Sequence, residues 1–178
     1  MSNDQRSAES SRATTSEGGG FDSLEQEVFL NLWRTYDRLR MVEDELFARF
    51  ELTPQQYNVL RLLDRTGVRG TATLQLASRL VSRAPDITRM LDKLERRGLI
   101  ERTRPADDRR TVRIRLTDSG RKLIGEISDP LQTCHARQLG HLSDAQLRTL
   151  VQLLRAARAP HENAESTWRT EPAIDRNP

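Results

Sequence analysis

The stretch that decides the fold is APDITRMLDKLERRGLIERTRPADDRRTVRIRLTDSG, residues 84–120. Its first third has apolar residues at helical spacing, which predicts a helix with one buried stripe. That stripe comprises Ile87, Met90, Leu91, Leu94 and Gly98. The opposite side of the helix carries long, mostly cationic side chains: Arg89, Asp92, Lys93 and Arg96. Pro85 suits the first helical position, because the amide hydrogen that proline lacks has no intrahelical partner there.

A β-hairpin is predicted directly after this helix. Residues 99–103 and 111–116 form two short runs, and in the second of them the apolar Val112, Ile114 and Leu116 alternate with arginines. Strict alternation is typical of a strand that buries one face. The connector PADDRR, residues 105–110, has the composition of a turn and places two arginines at the hairpin tip.

Three further helices precede the quoted stretch. Capping-box patterns start helices at Ser23 and Thr53, and the first of these spans roughly 28 residues, ending near residue 50. Gly67 is expected to end the second helix. A short third helix covers residues 73–80, and we expect its inner face to consist of Leu74, Ala77 and Leu80.

Two more helices follow the hairpin. The first is capped by Thr117 or Asp118, and Pro130 is expected to bend or interrupt it. A further capping box at Ser143 starts the last helix, in which leucines recur at helical spacing.

This order of elements predicts a mainly α (α+β) fold, a winged helix-turn-helix lobe with a two-stranded wing. We assign residues 53–117 to the lobe, and residues 22–51 and 118–158 to flanking dimerisation helices. The polar segment 1–21 is interpreted as a disordered arm, and residues 159–178 as a flexible tail.

Composition excludes several classes of protein. The chain has 178 residues, a single cysteine and a net charge of +3, with a sequence pI near 9.6. A single cysteine cannot form an internal disulfide framework, and no apolar run reaches the roughly 18 residues of a membrane span. With no secretion signal in the polar N-terminus, we expect a cytoplasmic protein associated with the nucleoid.

Positive charge is concentrated on the predicted helix and hairpin. Residues 83–115 contain eleven basic and six acidic side chains, a net of +5, which exceeds the charge of the whole chain. Such clustering is typical of a surface that binds nucleic-acid phosphates. We expect Arg89 and Lys93 to reach base edges or phosphates of double-stranded DNA, and Thr88 and Ser82 to donate to phosphates. The tip arginines suit a minor groove.

The sequence resembles the multiple-antibiotic-resistance regulator (MarR) family of bacterial transcription factors. The resemblance rests on TRMLDKLERRGLIER (residues 88–102), DRR (108–110) and LTDSGR (116–121), and it covers roughly residues 22–158. Met90 replaces a commoner leucine, and Pro85-Asp86 is a variant head to the recognition helix.

The resemblance implies a homodimeric regulator, usually a stress-response repressor, that binds a palindromic operator. A small phenolic or lipophilic ligand, bound between the dimer helices and the winged lobe, would release it. Implied DNA-contacting residues on the recognition helix are Ser82, Arg83, Asp86, Thr88, Arg89 and Lys93. Those of the wing are Asp108, which pairs within the wing, and Arg109 and Arg110, which enter the minor groove.

The sequence gives little indication of a redox-active cysteine, a metal site or an enzyme active site. Cys134 is interpreted as a small buried residue rather than a peroxide sensor, and we expect no metal or other cofactor, because the three histidines lack ligand spacing. Trp33 and Tyr36 favour core or interface packing over a ligand pocket. No phosphate-binding loop or nucleophile motif indicates an enzyme. The alternative is a winged-helix module for protein or RNA contacts that reads no operator.

Overall fold

The computed structural model describes residues 20–67, 70–80, 86–104 and 112–162. These residues form six α-helices and three short strands. The helices are α1 (Leu24–Ala48), α2 (Pro54–Thr66), α3 (Thr73–Ser78), α4 (Ile87–Arg96), α5 (Asp118–Leu139) and α6 (Asp144–Arg158). The strands are β1 (Thr71–Ala72), β2 (Ile100–Thr103) and β3 (Arg113–Leu116). The predicted mainly α winged-helix fold is thereby confirmed.

The chain divides after Arg40 into two compact units, and α1 has residues in both of them. The second unit contains the hydrophobic core, in which α2, α4, the sheet and α5 bury their apolar faces against one another. Its fully buried side chains are Val59, Leu60, Leu63, Leu76, Leu91, Leu94, Ile100, Ile114 and Ile127. None of the described helices has the length and apolar character needed to cross a membrane.

The sheet has three antiparallel strands in the order β1-β3-β2, one more than the sequence analysis predicted. Ile100 pairs with Leu116 and Thr103 with Arg113, which confirms the hairpin. The additional strand β1 pairs Thr71 with Ile114. Two residues are too few to show a strand alternation in the sequence, so only the pairing with β3 reveals β1.

Side-chain caps fix the helix starts as the sequence predicts, with one difference. Thr53 and Ser143 form complete capping boxes with Gln56 and Gln146. At α1 the Ser23 hydroxyl accepts from the Gln26 amide, but the Gln26 side chain accepts from the amide of Asp22, at 2.6 Å. Helix α1 has 25 residues, somewhat shorter than predicted.

The predicted inner face of α3 was wrong in part, since Leu80 packs against the core but Leu74 does not. Leu76 is fully buried, whereas Leu74 is 84% exposed. The prediction placed the helix over residues 73–80, but it ends at Ser78, so six residues give too little periodicity to phase the face. The approach of α3 to α2 and β1 determines which leucine lies inside.

The Thr117–Gly120 segment joins the hairpin to α5 through close backbone contact. The Thr117 hydroxyl caps α5 by accepting from the Gly120 amide and also donates to the carbonyl of Gly98, at 2.7 Å. A Cβ atom at Gly120 would lie 2.3 Å from the carbonyl oxygen of Leu99, so the position requires glycine. Helix α5 continues through Pro130 without interruption, since proline removes one helical hydrogen bond while those on either side remain.

Candidate nucleic-acid interface

The recognition helix α4 has Asp86 as its N-cap and Ile87 as its first helical residue, two residues later than the sequence analysis placed that position. One carboxylate oxygen of Asp86 accepts from the backbone amide of Arg89, at 3.1 Å. The other lies 2.9 Å from Nε of the same arginine. Ile87 is therefore the first helical residue, and Asp86, predicted to contact DNA, has a demonstrable role in capping the helix and orienting Arg89.

The two sides of α4 divide as predicted, except that Gly98, which the sequence analysis placed in the buried stripe, lies beyond the helix and is exposed. Leu91 and Leu94 are buried in the core, and Ile87 and Met90 pack against it. The exposed residues of the helix form a polar outer face, which consists of Thr88, Arg89, Lys93 and Arg96. The Arg89 side chain is 84% exposed, so the bond to Asp86 directs it without removing it from solvent.

The Asp92 carboxylate pairs with the hairpin and not with Arg96 on the same helix. Arg96 Nε donates to the backbone oxygen of Asp92, while the Asp92 carboxylate binds Arg102 on β2, at 2.7 Å from Nη2. The other terminal nitrogen of Arg102 binds Glu95. Burial disfavours the charged guanidinium, yet hydrogen bonds and the charges of Asp92 and Glu95 raise the pKa of Arg102 above its ordinary value.

Arg97 connects the C-terminal end of α4 to the end of α1. Its guanidinium donates to the carbonyls of Phe50, at 3.1 Å, and of Glu51. Glu51 has φ of 54°, a left-handed conformation that few non-glycine residues adopt. Arg97 thus satisfies backbone acceptors that follow the last turn of α1.

These contacts correct the simple charge count of the sequence analysis. Three of the counted arginines have partners within the protein: Arg97, Arg102 and Arg115. The Nε of Arg115 lies 3.6 Å from a carboxylate oxygen of Glu101 across the hairpin. Five described basic residues of this region are exposed and could contact an external partner. They lie on α4, directly after β2 and at the start of β3: Arg89, Lys93, Arg96, Arg104 and Arg113. Within the described residues, this set of exposed cationic side chains is smaller than the charge count of the sequence indicates, and three of its five members lie on α4.

Five predicted DNA contacts lie outside the described residues. These are Ser82 and Arg83 before the recognition helix, and Asp108, Arg109 and Arg110 at the hairpin tip. Thr88, Arg89 and Lys93 lie together on the exposed face of one helix, with Asp86 at its start.

Sequence reasoning missed the roles of Arg97 and Arg102. A signal was available for Arg102, because the turn at Gly98 reverses the chain directly after α4. Gly98 has φ of 67°, and the Leu99 amide donates to the Leu94 carbonyl, which closes the helix. The chain reversal places residue 102 next to Glu95, but which acidic side chains bind Arg102 follows only from the folded structure.

Substitution of Asp86 separates its two contacts. We expect Asp86→Ala to lower the free energy of unfolding by about 1 kcal/mol, the usual cost of an N-cap. Asp86→Asn keeps a good capping oxygen and is expected to remain within a few tenths of a kcal/mol of the wild type. Urea unfolding followed by circular dichroism measures both; equal stability of all three proteins would contradict the capping role.

Cys134, which the sequence analysis interpreted as a small buried residue, lies on α5. Cys134 is buried, and burial together with the nearby Glu43 carboxylate raises the pKa of its thiol. The thiolate, which is the reactive form, is therefore disfavoured. His135 Nε2 lies 3.3 Å from a carboxylate oxygen of Glu43. The described residues include no cluster of three or more potential metal ligands.

An open cleft of about 430 Å³ lies along the first half of α1. Its lining residues are Phe21, Leu30, Asn31, Trp33, Arg34 and Asp37. Trp33 contacts the edge of Phe29, with ring centroids 6.2 Å apart, and 63% of its surface is exposed.

Comparison with known proteins agrees with this geometry. The model of the MarR family matches residues 52–112, which include α2 to β2. A MarR transcription factor from Planctomyces limnophilus is 52% identical, with a TM-score of 0.60, and the match covers 77% of this chain and 99% of that one.

Two more distant structures share the fold. A mutant MarR from E. coli in complex with operator DNA is 22% identical, with a TM-score of 0.67, over 76% of this chain and 98% of that one. BpsR from Bordetella bronchiseptica, whose DNA binding is regulated by 6-hydroxynicotinic acid, is 24% identical, with a TM-score of 0.65 and coverages of 74% and 98%. With its winged lobe, its exposed cationic helix and a 52% identical relative, the chain belongs to the MarR family of DNA-binding transcription regulators.

Proposed function

We propose that this regulator is a homodimeric repressor that reads a palindromic operator and is released by a small-molecule ligand. The observation that carries the proposal is the exposed face of α4, where Thr88, Arg89 and Lys93 project from a helix whose other side is buried. An α-helix of this kind fits the major groove, and an arginine bound to guanine is the commonest specific contact.

Within this proposal each site residue has a role. Arg89 reads bases, Lys93 reaches a base edge or a phosphate, and Thr88 donates to a phosphate, while Asp86 orients Arg89. The remaining proposed contacts are those of Ser82 and Arg83 with the backbone, and of Arg109 and Arg110 with the minor groove, with Asp108 pairing inside the wing. The operator-bound relative of the same fold supports this assignment.

Uncovered apolar surfaces support the homodimer. The first half of α1 exposes seven large apolar or aromatic side chains: Leu24, Val28, Phe29, Leu30, Leu32, Trp33 and Tyr36. Helix α6 buries no residue, and its Val151 and Leu153 are exposed. Exposed apolar patches of this kind mark protein interfaces. We therefore assign residues 22–51 and 118–158 to dimerisation and 53–117 to DNA binding. Most of the predicted arm and tail lies outside the described residues, and the start of the tail, Ala159–His161, forms a 3-10 helix.

Release by a ligand is supported by the relative whose DNA binding responds to 6-hydroxynicotinic acid. We place the ligand class among small phenolic or lipophilic compounds, which can be screened for dissociation of the protein from its operator. We further propose that the protein acts on the nucleoid in the cytoplasm, in a stress response, and has no enzymatic activity.

Selection of bound sequences from a random DNA pool tests operator reading directly. We expect enrichment of one palindrome whose half-sites are about one helical turn apart, with binding that weakens steeply as salt increases. Salt-sensitive binding without enrichment would instead favour the alternative, a winged-helix module that contacts RNA or protein. Titration of the selected duplex at several salt concentrations then gives the affinity and the number of phosphates neutralised.

A further inference from the structure

Arg102 links the recognition helix to the wing strand at two points. Its Nη2 lies 2.7 Å from the Asp92 carboxylate, and its Nη1 binds the Glu95 carboxylate. The backbone amide of Arg102 donates to the other Glu95 oxygen, at 3.2 Å. We call these three residues the Arg102 clamp.

The clamp joins two elements, unlike the ion pairs at the starts of α4 and α5. Arg89–Asp86 and Arg121–Asp118 each connect residues three apart at the start of one helix. Arg102 lies on β2, and the two carboxylates it binds lie one turn apart on α4. A planar guanidinium bound to two points on a helix restrains its rotation about its own axis as well as its distance from the strand.

Orientation of α4 matters because its reading residues are defined by helical angle. Asp92 directly precedes Lys93, and Arg89 lies one turn earlier, so a rotation of the helix would displace both side chains. Hydrogen bonds to base edges tolerate errors of only about 0.5 Å and 10–20°. Arg102 itself is 26% exposed with both terminal nitrogens engaged, so it is poorly placed to contact DNA.

We propose that Arg102 is a positioning residue that fixes the rotation of the recognition helix and thereby sets sequence discrimination. This inference rests on the proposed operator reading for its functional consequence. The clamp itself is a property of the DNA-free protein.

Arg102→Lys tests the clamp with charge held constant. Lysine is a point charge that cannot reproduce the two-pronged contact. We expect faster hydrogen exchange in α4 of the free protein, and a ratio of operator to unrelated-duplex affinity that falls ~tenfold, the scale of one lost base contact. Arg121→Lys is the matched control, since Arg121 binds Asp118 of α5 and the Leu116 carbonyl of β3 but has no polar contact with α4 among the described residues, and both readouts should stay unchanged.

Asp92→Asn provides a second variant if lysine at position 102 impairs folding. It removes a negative charge from a helix that faces DNA, so electrostatics alone predicts tighter binding to every duplex. If the contact of Asp92 with Arg102 positions the helix, its loss predicts instead that the ratio of operator to unrelated-duplex affinity falls, whether the affinity for unrelated DNA rises or not.

Three outcomes are distinguishable. Faster exchange together with a reduced ratio supports the proposal. Unchanged hydrogen exchange in α4 in both variants overturns the proposal, whether or not the wild type selects an operator. A wild type that selects no operator contradicts the proposed function, which is a separate result. Faster exchange with an unchanged ratio in a wild type that does select an operator also overturns the positioning role.

Discussion

Replacing Arg89 with alanine should abolish the distinction between operator and unrelated DNA while leaving the fold and the dimer intact. The fold should survive because the Asp86 cap is made to the backbone amide of residue 89, which alanine retains. The Arg89 side chain is exposed and contacts only Asp86 among the described residues. A bidentate arginine–guanine contact contributes about 1–3 kcal/mol of discrimination, and a dimer makes it in both half-sites.

The measurement is competition of labelled operator against unlabelled operator and scrambled duplex. Arg121→Ala is a matched control, because Arg121 also pairs with an aspartate three residues earlier at a helix start, at 2.6 Å. We expect that variant to discriminate like the wild type. Unaltered discrimination in Arg89→Ala would show that another residue reads the bases.

Replacing Phe29 and Trp33 together with serine should convert the dimer to folded monomers at micromolar concentration. The two rings form an edge-to-face pair, and both are more than 60% exposed in the single chain. Burial of an aromatic side chain at an interface typically contributes about 2 kcal/mol or more, and a symmetric dimer buries each residue twice. Loss of the dimer should also weaken operator binding, since the two DNA-binding lobes are no longer joined and each binds its half-site separately.

Sedimentation velocity measures the assembly state, and circular dichroism tests whether the helices remain. The control is Leu74→Ser, which replaces an apolar side chain on α3 that is 84% exposed and lies outside the helices assigned to dimerisation. That protein should sediment like the wild type. A monomeric wild type, or an undisturbed dimer after loss of both aromatic rings, would refute the proposed role of α1.

The recognition helix shows how far sequence reasoning extends into the site. The spacing of Ile87, Leu91 and Leu94 predicted which side of α4 is buried, and the structure confirms it. The same reasoning counted Arg97 and Arg102 as DNA-facing charge, because charge composition contains no information on which partners the chain reversal supplies. Their actual partners are the carbonyls after α1 and the carboxylates of α4.

The features that could be predicted from the sequence are those that depend on neighbouring residues in the chain. Capping boxes at Thr53 and Ser143, the alternation in β3 and the family motifs depend on residues a few positions apart. These features established the element order, the winged-helix fold and the family.

Tertiary structure alone decided the features that depend on packing between distant segments. The burial of Leu76 rather than Leu74, the strand β1 and the Arg102 clamp all require partners from other elements. A six-residue helix or a two-residue strand has too few local contacts to determine its own phase, so its neighbours determine it. The contacts of an arginine likewise follow from the fold, because its long side chain can reach partners that sequence separation does not reveal.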